Sequence, residues 1–366
     1  MSPTVAIVGG GYGGTLVAEA LDSSADVVLI DPRDSFVNVA ASLRALTQPT
    51  FAPSAFFAYD TLLRRGRVVR DSAASVDSSG ITLAGGGRID ADYIVLATGS
   101  SYAYPAHPRI LGASAADSVS DLLSTHRQLE RANRVLIVGA GPVGLELAGE
   151  IREVWPHKTV TVLARGHEIL PGYLPAVREE LQRQLADLGI DLRLGTRLIE
   201  LPTVAEGENA SFLVMTDAGD EIGADIWFRG FGSQVRTDYL ADGALVALTP
   251  NGLVPVTPRL NVIGYENVYA LGDIADLSDP KMATWAQTQA GVVVENIQSQ
   301  LDGREPDTVY TPATALRIFL PLGASRGVGQ LPTPDGGVAP ASRETVIDRK
   351  GRDLFTARFA ERFHLE

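Results

Sequence analysis

Apolar residues gather in two short buried-type runs that each stop at a glycine cluster and restart with helical spacing. The first run is Val5-Ala6-Ile7-Val8, followed by Gly9-Gly10-Gly11-Tyr12-Gly13-Gly14 and an alanine-rich stretch predicting a helix over 15–21. The second is Val135-Leu136-Ile137-Val138, followed by Gly139-Ala140-Gly141-Pro142-Val143-Gly144 and a helix predicted over 144–154. Continuous runs of this length bounded by turn residues predict strands buried on both faces. A second strand follows each helix, over 26–30 and 159–163, so a strand–helix–strand unit is repeated 130 residues apart.

Between and after these units the pattern predicts further alternation. Strands are expected over 66–69, 81–83 and 91–97, with Gly85-Gly86-Gly87 as the turn between two of them. A linking helix is expected over 118–131, an amphipathic helix over 181–188, and strands over 190–194, 212–215 and 226–228. Two strands end in small-residue turns, at Thr98-Gly99 and at Gly230-Phe231-Gly232. Val268–Leu271 returns as a strand ending in Gly272-Asp273, ahead of a long helix over 282–300. Residues from Thr311 onward carry short strand-like pieces and a terminal amphipathic stretch.

The glycine spacing has a chemical meaning. The first glycine permits the tight turn, the second lets the backbone approach a pyrophosphate, and the third lets helix and strand pack closely. The phosphates then lie on the helix N-terminus. Asp31 closes the second strand 22 residues after Gly9, where a carboxylate accepts hydrogen bonds from ribose hydroxyls. Two such units predict two dinucleotides and electron transfer between them.

Composition narrows the chemistry. The chain of 366 residues has a formal net charge of −13, which argues against nonspecific nucleic-acid binding, since that needs a cationic face. It contains no cysteine, so no disulfide, thiolate metal site or redox-active thiol pair can form, and no metal site is expected. Electrons must leave by another acceptor. The first strand begins near Thr4 and no apolar run is long enough to span a bilayer. The expectation is a cytoplasmic protein, with peripheral contact to a membrane left open.

Further stretches join the fingerprints: Asp34-Ser35-Phe36, Asn38-Val39-Ala40, Leu96–Ser100, Val268–Asp273, Pro280–Ala283, Gly327–Gln330 and Arg352–Phe355. On these the chain resembles the two-dinucleotide-binding-domain flavoproteins of the pyridine nucleotide–disulfide oxidoreductase superfamily. Within it, the chain resembles the ferroptosis-suppressor and apoptosis-inducing-factor-like NAD(P)H:quinone oxidoreductase branch. The resemblance implies an α/β fold with two Rossmann-like domains, for FAD and for NAD(P)H, plus a small C-terminal α+β domain. It divides the chain into an FAD-binding part, residues 1–110 and 253–310, an NAD(P)H-binding part, 111–252, and a C-terminal interface part, 311–366.

Carried over by position, the resemblance implies that Gly9, Gly11 and Gly14 hold the FAD pyrophosphate and Asp31 its adenosine ribose. Arg44 is placed near the flavin, Thr98 and Gly99 abut it, and Gly272-Asp273 binds the ribityl chain or its phosphate region. Gly139, Gly141 and Gly144 would grip the nicotinamide dinucleotide. No acid follows Val162-Leu163-Ala164, and Arg165 stands there instead, placed either to pair a 2′-phosphate, assisted by His167, or to be a solvated loop residue. NADPH is favoured, with NADH also accepted.

Related enzymes carry a glutamate at Glu146 that contacts the nicotinamide region; its other reading is a carboxylate complementing the helix dipole. Lys350 lies near the flavin in that branch and would stabilise reduced flavin. Ala286-Gln287-Thr288-Gln289-Ala290-Gly291 partly matches an element bordering the quinone pocket of type II NADH dehydrogenases, departing at Gln289 and Gly291. That makes Gln287 a candidate for the acceptor site, alongside a plain helix-surface reading. Phe355, Phe359 and Phe363, flanked by Arg352, Arg358 and Arg362, suit either a lipid-facing helix or one packed on its own domain. The expected activity is FAD-dependent transfer from NAD(P)H to a quinone-type acceptor. Reduction of a protein electron carrier and a redox-sensing interaction protein are the alternatives.

Overall fold

The computed structural model describes residues 2–365. In chain order the first half runs β1 (Thr4–Val8), α1 (Tyr12–Leu21), β2 (Asp26–Ile30), β3 (Ser35–Val37), α2 (Val39–Thr47) and β4 (Phe56–Ala58). It continues with β5 (Arg67–Val69), β6 (Ala73–Asp77), β7 (Gly80–Leu83), β8 (Arg88–Asp90), β9 (Tyr93–Leu96), β10 (Ser100–Ser101) and α3 (Ala115–Arg131). The second unit comprises β11 (Arg134–Val138), α4 (Pro142–Val154), β12 (Thr159–Leu163), α5 (Pro175–Asp187), β13 (Ile190–Arg193), β14 (Phe212–Met215), β15 (Glu221–Ala224), β16 (Ile226–Arg229) and β17 (Gln234–Val235). Last come β18 (Val268–Ala270), α6 (Ala283–Leu301), β19 (Ile318–Pro321), β20 (Gly327–Pro332), β21 (Val338–Ala341), α7 (Arg343–Val346) and α8 (Thr356–Arg362).

Two parallel sheets organise these elements, one in the order β18-β9-β1-β2-β5 and one in the order β13-β12-β11-β16. β1 pairs with β2 through Val5↔Val27 and Ile7↔Leu29, and β11 with β12 through Val135↔Val160 and Ile137↔Val162. All these residues are buried, because helices or loops cover both faces. The strand order reverses beside β1 and beside β11, which places the crevice for a ligand at the ends of those strands. Both units are Rossmann-type, as the repeated pattern predicts. An antiparallel sheet, β19-β20-β21, lies in the C-terminal part.

Helix starts depart from the sequence reading for local reasons. α1 begins at Tyr12 because Gly11 caps it, and α4 begins at Pro142, a residue suited to the first helical position. α5 likewise starts at Pro175, six residues earlier than its apolar periodicity. The antiparallel β3–β4 pair and α2, which connects its strands, carry no regular pattern in the sequence. α2 is buried on nearly every side and so lacks a polar face to mark its period.

The terminal aromatic stripe packs inward. Phe359 and Phe363 are buried, with Phe359 4.7 Å from Phe36 and Phe363 5.5 Å from Phe57 between ring centroids. Phe355 precedes the helix at φ 66°. Of the two readings of this stripe, the structure realises the intramolecular one, since these rings complete the core beneath α1. No helix among the described residues is long and apolar enough to cross a membrane.

Candidate functional site

The two fingerprints fold into the same local geometry. Gly9 has φ +106°, and a Cβ there would lie 2.5 Å from the carbonyl oxygen of Ala97. Gly139 has φ +118°, and its Cβ would lie 2.6 Å from that of Gly230. A Cβ at Gly14 would sit 1.9 Å from the Gly9 oxygen, and one at Gly144 would sit 2.0 Å from the Gly139 oxygen. First and third glycines therefore serve packing in both units. Gly11 differs: a Cβ there meets nothing within 4 Å, because the residue faces a cavity.

That cavity, of about 1020 Å³, runs across the ends of β1, β9 and β18 and continues to the first turn of α4. Gly9, Gly11, Asp31, Thr98, Gly99, Gly272 and Asp273 line one part of it, while Glu146, Gln287 and Lys350 line another. Ten of the sixteen sequence-derived site residues thus share one space, drawn from segments far apart in the chain. The open pocket above Gly11, the α1 N-terminus and two carboxylates at sugar-hydroxyl positions fit an adenine dinucleotide.

Asp31 is buried and already engaged. Its carboxylate accepts from the Gly10 amide at 2.7 Å and from Arg33 Nε at 3.1 Å, so it fixes the fingerprint turn as well as facing the cavity. Asp273 accepts from the Ser100 hydroxyl and from Tyr102 Oη at 3.3 Å. Burial, then the Asp273 charge, push the Tyr102 phenol up to about 12, so it stays a donor at neutral pH. The Thr98 hydroxyl donates to the Arg236 carbonyl at 2.6 Å, so Thr98 offers the cavity its backbone and methyl.

Glu146 and Lys350 meet. Lys350 Nζ lies 2.6 Å from Glu146 Oε1 and 3.4 Å from the Phe319 carbonyl, with the two side chains only 15% and 8% exposed for Lys350 and Glu146 respectively. Burial raises the Glu146 carboxyl, and Lys350 and then Arg44 oppose the rise. Two residues 204 positions apart form a partly buried ion pair on the wall of the cavity. Gln287 stands on the same wall, on α6.

Six residues do not line the cavity. Gly14, Gly139 and Gly144 are packing glycines, and Gly141 sits at the α4 N-cap, its Cβ position 3.7 Å from the Gly230 oxygen. Arg165 is exposed just past the end of β12, and so is His167. Arg44 is a correction. Its guanidinium is buried against Glu150 at 2.8 Å and donates to the carbonyls of Gly351 and Arg352, so it does not reach the cavity.

Sequence reading missed several partners. Gln289 accepts the Gly272 amide at 2.7 Å and is buried beside Asp279, so the departure from the quinone-pocket motif holds the Gly272-Asp273 turn. Ser100 and Tyr102 follow Thr98-Gly99 directly, and Glu150 lies four residues after Glu146 on one helix. Only these adjacencies could have signalled them.

Known proteins bear on this geometry. The family described as pyridine nucleotide-disulphide oxidoreductase matches residues 3–290. Ferroptosis suppressor protein 1 of Taeniopygia guttata is 32% identical over 98% of this chain and 95% of its own length. Among solved structures, the sulfide:quinone oxidoreductase of Aquifex aeolicus superposes with a TM-score of 0.76 at 16% identity, covering 99% of this chain and 91% of that one. NDH2 of Plasmodium falciparum in complex with NADH gives 0.72 at 13% identity, covering 100% and 98%. The two superpositions carry the fold.

Proposed function

The chain belongs to the pyridine nucleotide-disulphide oxidoreductase family, and on that premise we propose that it passes electrons from NAD(P)H through FAD to a quinone-type acceptor. The coarser activity, FAD-dependent oxidation of a pyridine nucleotide, belongs to the family. The observation that carries electron transfer at this cavity is the Glu146–Lys350 pair, which sits where the two fingerprint units face one space. FAD supplies the two-electron carrier between nucleotide and acceptor.

The residues divide the work. Residues 1–110 with 253–310 hold FAD: Gly9, Gly11 and Gly14 shape the pyrophosphate cradle, Asp31 takes the ribose and Asp273 the ribityl side, with Thr98, Gly99 and Gly272 closing the turns around it. Residues 111–252 hold the nicotinamide dinucleotide at the N-terminus of α4, where Gly139 and Gly144 pack the turn that presents Gly141, and Arg165 pairs the 2′-phosphate that distinguishes NADPH. Glu146 holds Lys350 Nζ on the cavity wall, and Lys350 Nζ stabilises negative charge arriving in the cavity. Residues 311–366 contribute Lys350 and Phe319 to the wall of this space.

Quinone as acceptor rests on three supports. No cysteine exists to carry electrons onward. The resembled branch reduces quinones, and a sulfide:quinone oxidoreductase shares this fold. Phe319, Met282 and Tyr173 give the cavity beside Gln287 an apolar lining that suits an aromatic ring. An overall acidic chain would repel an acidic protein carrier, which places the carrier-reductase alternative second.

Stopped-flow absorbance at the flavin maximum tests this. FAD-loaded protein is mixed with NADPH or NADH, then with a soluble ubiquinone analogue. Fast bleaching and quinone-dependent recovery are expected. Bleaching that only oxygen or a protein carrier reverses would refute the quinone assignment.

A further inference from the structure

The segment carrying Lys350 is irregular. Ile347–Gly351 form a π turn in which the Arg352 amide reaches back to the Ile347 carbonyl at 2.8 Å. Leu354 and Phe355 then follow at φ 52° and 66°. Two left-handed non-glycine residues in succession are costly and persist only where surroundings fix them. The turn and its exit also aim carbonyls away from any helical ladder.

Side chains from residues 38–44 take those carbonyls. Arg44 Nη2 donates to Gly351 O at 2.8 Å, Arg44 Nη1 to Arg352 O at 3.0 Å, and Asn38 Nδ2 to Leu354 O at 2.8 Å. The remaining edge of the guanidinium faces Glu150, with Nε 3.1 Å from both carboxylate oxygens and Nη2 2.8 Å from Oε1. Glu150 lies one turn beyond Glu146 on α4, so both carboxylates occupy the same helix face. α4 therefore holds two cations on successive turns. One is Lys350 itself; the other grips the backbone that follows Lys350.

We infer that Arg44 and Glu150 are a positioning pair that fixes Lys350 Nζ against Glu146 on the cavity wall. This deepens the assignment of Lys350 above and rests on it. Arg44 and Glu150 do not line the cavity, so their effect on turnover passes through the Glu146–Lys350 pair. A planar guanidinium suits the task because its fixed fork of five donors meets both oxygens of one carboxylate and two divergent carbonyls at once, more than the three donors of an ammonium can serve. A merely stabilising core contact at this place would need no such geometry, since apolar side chains of similar volume serve stability as well as a buried ion pair does.

The test is a double-substitution cycle on the full-length, FAD-loaded protein. Arg44→Gln, Lys350→Met and the combination are compared in single-turnover flavin reduction by NADPH. Arg44→Gln is expected to slow reduction by about tenfold or more, the scale on which misplaced groups lose rate, with flavin content and the NADPH concentration dependence unchanged. In the Lys350→Met background the same change should cost less than about twofold, because residues acting as one unit are non-additive. Additive losses, with Lys350→Met itself slow, would overturn the inference and leave the Lys350 assignment standing. A Lys350→Met protein reduced at the parental rate would overturn both. If Arg44→Gln does not fold, the isosteric Glu150→Gln replaces it in the same cycle, with the same outcomes deciding.

Discussion

Replacing Gly11 by alanine separates ligand space from folding. Gly11 caps α1 with φ −82° and ψ −162°, backbone that alanine adopts freely, and the added methyl meets nothing within 4 Å. Alanine is the poorer cap by roughly 0.5–1 kcal/mol, while the stiffer unfolded chain returns about 0.4–1 kcal/mol. Apoprotein stability should therefore stay within about 1 kcal/mol of the parent. The methyl instead projects into the cavity over the first turn of α1, where the proposed cradle would present backbone amides to a pyrophosphate. Loss of one charge-assisted hydrogen bond costs about 1.5–3 kcal/mol, which is roughly a 10- to 150-fold rise in the FAD Kd. Gly9→Ala is the control: φ +106° and a Cβ 2.5 Å from the Ala97 oxygen should lower stability and binding together. Urea midpoints of the apoproteins and FAD titrations followed by flavin fluorescence quenching give both quantities. Parental FAD affinity in Gly11→Ala, or a midpoint loss as large as that of Gly9→Ala, would refute this account of the cradle.

Arg165→Ala should raise the KM for NADPH by about 10- to 150-fold, on the same 1.5–3 kcal/mol scale, and leave NADH almost untouched; equal losses would show that Arg165 reads no phosphate. Asp273→Ala removes the acceptor of the Ser100 and Tyr102 hydroxyls and should strip flavin during gel filtration, a result an unchanged flavin-to-protein ratio would contradict. Burial, then repulsion from Arg33 and Arg236, hold the His107 imidazole at about 3. Below pH 6.5 the unfolded chain takes up this proton and the folded one does not. The apoprotein should then lose about 1.4 kcal/mol per pH unit from pH 6.5 down towards 3. His107→Gln should flatten that slope, and parallel urea-midpoint curves for the two proteins would sink the assignment.

The sequence made the parallel cores legible because their strands are uniformly apolar and end at glycines whose spacing has a steric cause. Gly14 and Gly144 show that cause directly, since a Cβ at either would lie 1.9 or 2.0 Å from the carbonyl oxygen of the first glycine of its motif. Composition said nothing of α2, whose residues are buried on almost all sides, nor of Arg44 as a partner of Glu150, since ion pairing across 106 positions leaves no local trace. Lys350 and Glu146 were each singled out by resemblance, but their contact across 204 positions is a tertiary fact. Gln289 was read as a flaw in a motif, and the structure makes it a support for the Gly272 turn. The aromatic stripe of the C-terminus has the same spacing whether it faces lipid or core, so periodicity alone could not decide it.

The strand order of the first sheet also sets a timetable for synthesis. β18 pairs with β9 through Val268↔Ile94 and Ala270↔Leu96, so β9 keeps an open hydrogen-bonding edge until residues 268–270 have been made. At ribosomal rates of ~5–20 residues per second, that delay is about 10–30 s, during which the whole second unit emerges and folds. An unpaired apolar strand edge over such a period invites pairing with other chains. Leu96 leads straight into the turn at Thr98, so a newly made chain exposes part of the cavity lining beside that open edge. Production at lower temperature, with chaperone and ample flavin supplied early, should therefore raise the soluble yield of this protein more than any change to its finished surface.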